Sequence, residues 1–347
     1  MTSKGASIAA TQDRPTIHDV ARRANVSPAT VSKVLRGIGS AKPENIARIR
    51  EAVRELGFRV DPLAANLRKA QRAIIGLVVP DFRNPLFGAL VAEFEQLAAA
   101  DGYRLVAVSS AETNEREEAQ IEALLDWRVA GLIVIPTDGA LTKAATIMEQ
   151  GVATVLLDRV PANSPFDSVG VDNFAASAAV VRHLVELGHR HILLATSSLS
   201  RPNMQDRMHG AMSVAEAAGA AGMIEVLACG VDLPSALQAV AGRLDAGTMP
   251  TAIFTLFSPA TLATLRELGR RGLAIPEDLS LVGFDDVEWL QVTHPPVAAV
   301  IQPVTELAHT TWAQMMRRLR KEAEGDAHFV VPCRLDFRGS VAPPRAR

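Results

Sequence analysis

The chain has 347 residues, 48% of them hydrophobic, and a formal net charge of −2. That is enough apolar material for more than one domain core, while two cysteines, Cys229 and Cys333, are too few for a disulfide framework or a cysteine-based metal site. Apolar runs such as residues 73–80 stop well short of a membrane span, and residues 1–14 have no apolar segment of a secretory signal, so a cytoplasmic protein is expected.

Residues 1–14 are polar and read as a disordered arm. Residues 16–37 read as two short helices joined by a tight turn. Thr16 is a good N-cap, and Asp19, three positions on, makes a capping-box variant at the positive end of the first helix. Ile17, Val20, Ala21 and Ala24 fall at helical spacing and form one apolar stripe. Asn25 suits a left-handed turn position, and Val26 plugs the space between the helices. Ser27 caps the second helix, with Pro28 at its first position, where the missing N–H does no harm. Val31, Val34 and Leu35 then face inward, leaving Ala29, Thr30, Ser32, Lys33 and Arg36 outside. A third helix over residues 44–56, opened by Pro43, supplies Ile46, Ile49, Val53 and Leu56 to the same core.

That outer face suits a DNA major groove, which is wide enough for a helix. Pro28 and Ala29 can meet a thymine methyl, Lys33 can donate to guanine O6 and N7, and Thr30 and Ser32 fit phosphate oxygens. Thr16, Ser27 and Arg36 complete the candidate DNA contacts. A plain helical hairpin with a solvated charged face has the same pattern, and charge separates the two readings. Residues 1–72 carry 14 Lys and Arg against 6 Asp and Glu, a net of +8, whereas the other 275 residues carry 22 and 32, a net of −10. A basic head on an acidic body is the footprint of a phosphate binder.

Residues 61–72, DPLAANLRKAQR, join head and body. Their Ala, Leu and Arg content favours a helix of about two turns, which is marginal alone in water; a flexible tether is the other reading. From residue 73, apolar runs at 74–79, 103–108, 131–135, 154–157, 191–195, 251–254 and 281–284 alternate with helix-like stretches at 86–100, 115–127, 175–187, 205–219, 234–245, 260–271 and 304–323. Continuous apolar strands separated by helices predict parallel α/β structure with both sheet faces covered. In such sheets ligands bind beyond the carboxyl ends of the strands.

Each run ends in polar or special residues. Asp81, Asn84, Leu86 and Phe87 follow the first, Ser109 and Ser110 the second, Thr137 and Asp138 the third, and Asp158 and Arg159 the fourth. Thr196 and Ser197, Phe257 and Ser258, and Asp285 and Asp286 follow the later ones. Polar groups with aromatics among them suit a small polar ligand such as a sugar; a turn or a cap is the alternative role for any single one. No G-x-S-x-G, Walker loop or H-E-x-x-H occurs, and His183, His189 and His191, expected at the surface, lack the partners of a zinc site. No enzyme activity, cofactor or metal is expected.

Four marks resemble the LacI family of transcriptional regulators: T-I-x-D-V-A at 16–21, V-S-x-x-T-V-S at 26–32, the segment 61–67 and G-F-D-D at 283–286. The resemblance runs from residue 16 to about 340. It implies a small all-α three-helix DNA-binding head and an α/β body of two Rossmann-like parallel-sheet subdomains of periplasmic-binding-protein type. The implied domains are 15–60 for the head, 61–72 for a hinge, 73–172 with 302–330 for one subdomain, and 173–301 with 331–347 for the other. The chain then crosses between subdomains near 172, 301 and 331.

The resemblance also implies that the hinge folds on DNA and that paired hinge helices enter the minor groove. Leu67 is then the wedge that kinks the duplex, Ala64 lets the helices approach, and Arg68, Lys69 and Arg72 meet phosphates. It marks Arg207, in D-R-M-H-G at 206–210, with Asp285, Phe87, Asp158 and Arg159, as effector contacts. One departure stands out. A polar pair such as Asn-Asp usually follows the strand that ends here at Phe254, but Phe257 and Ser258 occupy that place. A sugar loses an amide partner, and Phe257 is left to stack on a ring or close the pocket. Arg159, Arg207 and Arg83 near one cleft suit a carboxylate, which favours a sugar acid over a neutral sugar or a purine. The implied protein is a homodimeric repressor of a near-palindromic operator, with no heptad helix in the closing VAPPRAR for higher assembly. A sugar sensor whose head contacts protein is the alternative, disfavoured by the basic head.

Overall fold

The computed structural model describes residues 15–35, 42–58, 74–138, 141, 143–160, 164–219 and 222–345. The chain divides into two compact units, Met1–Gln71 and Arg72–Arg347.

The first unit holds α1 (Ile17–Ala24), α2 (Pro28–Leu35) and α3 (Pro43–Leu56). Its start is a complete capping box. The Thr16 N–H donates to Asp19 Oδ2 at 2.9 Å, and the Thr16 hydroxyl accepts from the Asp19 N–H at 3.4 Å. Asn25 ends α1 in the left-handed region, φ 51°. Ser27 Oγ accepts from the Thr30 N–H at 3.2 Å and so caps α2. Val20, Ala21, Ala24, Val31, Ile49 and Ala52 form the buried centre, with Ile17, Val26, Val34, Leu35, Val53 and Leu56 packed around it.

The second unit contains two six-stranded sheets of one plan. The first sheet is formed by β1 (Ile74–Val79), β2 (Arg104–Ser109), β3 (Gly131–Val134), β4 (Ala153–Leu157), β5 (Asp167–Val171) and β11 (His328–Val331). Their order is β11-β5-β4-β3-β1-β2, with every pairing parallel. The second sheet is formed by β6 (Ile192–Thr196), β7 (Ile224–Ala228), β8 (Ala252–Thr255), β9 (Ser280–Phe284), β10 (Ala298–Ile301) and β12 (Arg334–Asp336). Their order is β12-β10-β9-β8-β6-β7, and β12 runs antiparallel to β10. IIGLVV, GLIV, ILLAT and SLVGF are buried along almost their whole length, which is why they read as continuous apolar runs.

Helices α4 (Pro85–Ala100), α5 (Asn114–Asp126), α6 (Ala144–Glu149) and, late in the chain, α11 (Val304–Leu319) accompany the first sheet. Helices α7 (Asn173–Glu186), α8 (Pro202–Ala217), α9 (Leu233–Ala246) and α10 (Ser258–Arg271) accompany the second. The chain passes from one sheet to the other after Val171, after Ile301 and between Val331 and Arg334. In both sheets the order reverses beside the first strand, between β1 and β3 and between β6 and β8, and such a reversal opens a crevice at the carboxyl ends.

The local pattern does not announce β5, β7, β10, β11, β12 or α6. β5 opens on Asp167 and carries Gly170, while β7, β11 and β12 lie at sheet edges, where the alternation of buried and exposed positions is weak. His189 also departs from expectation. Placed at the surface from sequence, it is fully buried, with Nδ1 3.0 Å from Thr251 Oγ1 and Nε2 3.0 Å from the Ala342 carbonyl. Burial holds its pKa below the usual histidine value. The segment that covers it comes from the far end of the chain, so no neighbouring residue signals the burial.

Candidate functional site

The strand ends of both sheets face one cavity of about 470 Å³. The fold brings Asp81, Asn84, Leu86, Phe87, Asp158, Arg159, Arg207, Phe257 and Asp285 to its walls. Asp158 follows β4 and Asp285 follows β9, both with left-handed backbone, φ 64° and 77°. A non-glycine residue there costs about 1 kcal/mol or more, strain that gathers at functional sites. Asn84 caps α4 by accepting the Leu86 N–H at 3.0 Å. Phe87, in the first turn, lies under Arg159, whose guanidinium is 5.8 Å from the ring centroid. Arg83 pairs with Asp81 at 2.8 Å.

Arg207 is almost wholly buried. Its Nε donates to Asn173 Oδ1 at 2.7 Å, and Nη1 donates to the Leu256 carbonyl at 2.5 Å. The guanidinium carbon lies 3.4 Å from the Phe284 ring centroid. Helix α8 reaches the start of α7 this closely because residue 210 is glycine; a Cβ there would overlap the Phe174 carbonyl. Burial pulls the Arg207 pKa down, and Asp285 pulls it partly back. Burial likewise pushes Asp285 up, against Arg207 and against Gln302, whose Nε2 donates to Asp285 Oδ1 at 2.6 Å.

Glu112, Arg201, Asn203, Trp289 and Gln302 are among the further wall residues, and none of these five was singled out in the sequence. Arg159 forms a two-bond fork with Glu112, at 2.8 and 2.9 Å, and Arg201 Nη2 donates to the same carboxylate at 2.8 Å. Asn203 Nδ2 donates to Asp158 Oδ2 at 3.3 Å. Glu112 and Asp158 stand at the ends of first-sheet strands, and Arg201 and Asn203 at the opening of α8, so both contacts cross the cleft. A signal for the second pair existed. Pro202 at the first helical position starts α8 earlier than the expected residue 205. Glu112 has no such signal.

Burial pulls Arg159 down, but its fork with Glu112 outweighs that and leaves its pKa raised. Burial also pulls Arg201 down, joined by the neighbouring charge of Arg159, and Glu112 offsets this only in part. Other strand-end residues are occupied structurally. Ser110 and Thr137 bond each other at 3.0 Å, and Asp286 grips Arg338 through two bonds of 2.7 Å. Ser197 and Ser258 line the cavity. Among the described residues no cluster of metal ligands occurs, and no helix is long and apolar enough to cross a membrane.

On the head, Pro28, Ala29 and Lys33 of α2 are exposed and Thr30 and Ser32 half-buried. The Thr30 hydroxyl lies 2.9 Å from Ser27 Oγ, and that of Thr16 lies 2.7 Å from Asp19 Oδ2. The residue 1–14 arm, Arg36, and the hinge residues Ala64, Leu67, Arg68, Lys69 and Arg72 lie outside the described residues.

A helix-turn-helix head on a chain whose body has two parallel-sheet lobes and a ligand-sized cleft is the build of a ligand-responsive DNA-binding regulator. Residues 16–61 match the profile of the bacterial regulatory proteins of the lacI family, and residues 181–341 match that of the periplasmic binding protein-like domain. The chain is 30% identical over 334 residues to the HTH-type transcriptional regulator PtxS of Pseudomonas putida, covering 96% of this chain and 98% of that one. It superposes on the Lac repressor dimer bound to operator and the anti-inducer ONPF with a TM-score of 0.81, at 25% identity, over 95% of this chain and 100% of that one. A LacI family regulator from Enterococcus faecium with bound ribose gives a TM-score of 0.72 at 25% identity, over 78% and 100%. The chain belongs to the LacI family of DNA-binding transcriptional regulators, which are not enzymes.

Proposed function

We propose that this regulator is a repressor that binds a near-palindromic operator as a homodimer and is controlled by a small polar effector, a sugar or sugar acid, in the cleft. The observation that carries the reading is the cavity itself. Its walls come from both sheets and are joined across the gap by Glu112–Arg201 and Asp158–Asn203. An occupant that alters these contacts shifts one lobe against the other. In this reading residues 73–172 with 302–330 and 173–301 with 331–347 move as the two subdomains, and residues 61–72 pass the shift to the head. The coupling then changes operator affinity by ~1–3 kcal/mol. The ribose held by the Enterococcus regulator and the operator held by the Lac repressor dimer support both ends of this scheme. Operator DNA as partner places its work in the cytoplasm.

A single three-helix head reads one half-site, so a two-fold dimer calls for a two-fold site. The exposed face of α2 offers Lys33 as its strongest base reader. Lys33→Ala is expected to relax preference at one base pair per half-site by ~1–3 kcal/mol, measured by competition among operator variants. Equal weakening on every sequence would make Lys33 a phosphate contact instead. Leu67→Ala is expected to reduce operator bending and specific affinity while sparing non-specific binding, and unchanged bending in a gel assay counts against the wedge role. The whole scheme is tested by a thermal-shift screen of sugars and sugar acids, since a ligand of the folded form raises stability. Operator titration with each hit follows, and hits that leave operator affinity untouched would refute the coupling.

A further inference from the structure

We propose that Glu112 is the specificity-determining residue of the cleft: its carboxylate fills a two-arginine anion site from within, so the cleft rejects anionic ligands and takes uncharged ones rich in hydroxyl donors. The inference rests on the reading of the cavity as the effector site.

Arg159 and Arg201 converge from opposite lobes on one point, and both are almost wholly buried. Two guanidinium groups in that arrangement are built to hold a carboxylate. The carboxylate they hold belongs to the chain. Glu112 takes the fork of Arg159 and a third bond from Arg201, and Asp138 stands 3.6 Å from Arg201 Nε. Two positive charges therefore meet two negative ones. Arg83 faces Asp81, and Arg207 faces Asp285, so no arginine lining the cavity is left without an acidic neighbour.

The loop that delivers Glu112 is held in an unusual shape. Ala111 and Glu112 are consecutive non-glycine residues with left-handed backbone, φ 48° and 61°. Ala111 N–H donates to Ser109 Oγ at 3.1 Å and Glu112 N–H to the Pro80 carbonyl at 3.2 Å. A chain that adopts this conformation twice in succession, with no glycine to ease it, is held there by the contacts at its tip.

Three buried oxygens on the walls point to donors on the ligand. Asp158 Oδ1, Asn203 Oδ1 and Gln302 Oε1 are buried oxygens on lining residues, and none has a hydrogen-bond partner. Their orientations are set by the bonds already made: Asn203 and Gln302 must turn their amide nitrogens toward Asp158 and Asp285. The three oxygens left unpaired on these side chains can only accept. A neutral polyhydroxylated molecule supplies hydrogens to such oxygens once the lobes shift to admit it, whereas a ligand carboxylate adds a fourth acceptor and must first expel Glu112.

The test is chemical rescue on the full-length protein. Wild type, Glu112→Ala and Glu112→Gln are melted against sodium acetate at constant ionic strength, with acetamide as the neutral isostere; intrinsic tryptophan fluorescence, to which Trp289 on the cavity wall contributes beside Trp127 and Trp312, gives a second reading. Acetate is expected to raise the melting temperature of Glu112→Ala with a half-saturating concentration at least about tenfold below that for wild type, and acetamide to do nothing. Glu112→Gln, which fills the space without the charge, covers the case in which the alanine variant does not fold without acetate; it is expected to gain response to gluconate over glucose that wild type lacks. A wild-type protein that takes acetate or gluconate as readily as the variants overturns the proposal, as does a folded variant with no gain for either anion. Operator binding separates this outcome from failure of the effector reading. Acetate rescue, with sugars that bind the wild-type cleft yet leave operator affinity untouched, leaves Glu112 as proposed and removes the cleft as the regulatory site; a sugar response of operator affinity without any rescue does the reverse.

Discussion

Replacement of Arg207 by alanine is expected to abolish the effector response and to destabilise the body by about 3 kcal/mol, since a buried guanidinium bonded to Asn173 and Leu256 is lost and leaves those acceptors unpaired. Arg207 is 2% exposed and supplies the positive charge that faces both Asp285 and Asp158. Without it Asp285, already pushed up by burial, rises further. The sign of the pH dependence follows. A carboxyl whose folded pKa lies above its unfolded value contributes stability in full below the unfolded pKa and loses it as pH rises through the folded one. The deficit of Arg207→Ala is therefore smallest in acid and widens toward neutral pH. Denaturant midpoints measured across pH check the stability, and operator titration with the effector checks the response. A normal response in the alanine variant would move the pocket elsewhere. Arg207→Lys is a sharper companion: it keeps the charge but cannot bond Asn173 and Leu256 from one plane, so part of the stability returns without the response.

The second large effect lies away from the cleft. Asp167, fully buried at the start of β5, accepts from Arg318 Nε at 2.6 Å, Arg318 Nη2 at 2.5 Å, Gln314 Nε2 at 2.7 Å and the Ala327 N–H at 2.8 Å. These bonds tie the sheet to α11 and to the segment entering β11. Asp167→Ala is expected to lose about 3 kcal/mol, the lower end for a broken buried pair because Arg318 keeps a quarter of its side chain in water. Burial alone would raise this carboxyl; Arg318, Gln314 and Ala327 overcome it and hold the pKa below the usual value. Its contribution is thus full above the unfolded pKa, about 3.9, and lost as pH falls through the folded one. Wild type and Asp167→Ala should differ least near the acid end, and a gap independent of pH would show that the carboxylate charge is not what matters.

Much of this protein was legible from local pattern. Thr16 and Asp19, Asn25, and Ser27 with Pro28 each act through neighbours within four residues, so capping rules read the head to the residue. Most interior strands of the body announced themselves by unbroken apolar runs, whereas the buried β5 and β10 did not. The nine residues gathered on the cavity wall were chosen from strand ends and family motifs together. Arg201 and Asn203 were missed because the apolar periodicity of α8 begins after its capping turn, and the edge strands β7, β11 and β12 because their outer faces meet water.

What the sequence by itself determined is therefore whatever depends on short-range periodicity and charge: a basic helix-turn-helix head, an acidic parallel α/β body, and a rim of polar residues. Only the tertiary structure decided how those rim residues neutralise one another. Glu112 lies 47 residues before Arg159 and 89 before Arg201 along the chain, yet holds both. Contacts between such distant residues have no local signature, because the first joins the ends of two strands of one sheet and the second forms only when the other sheet brings its carboxyl ends against them. They alter the cleft from one with surplus arginine charge to one whose charges are already matched.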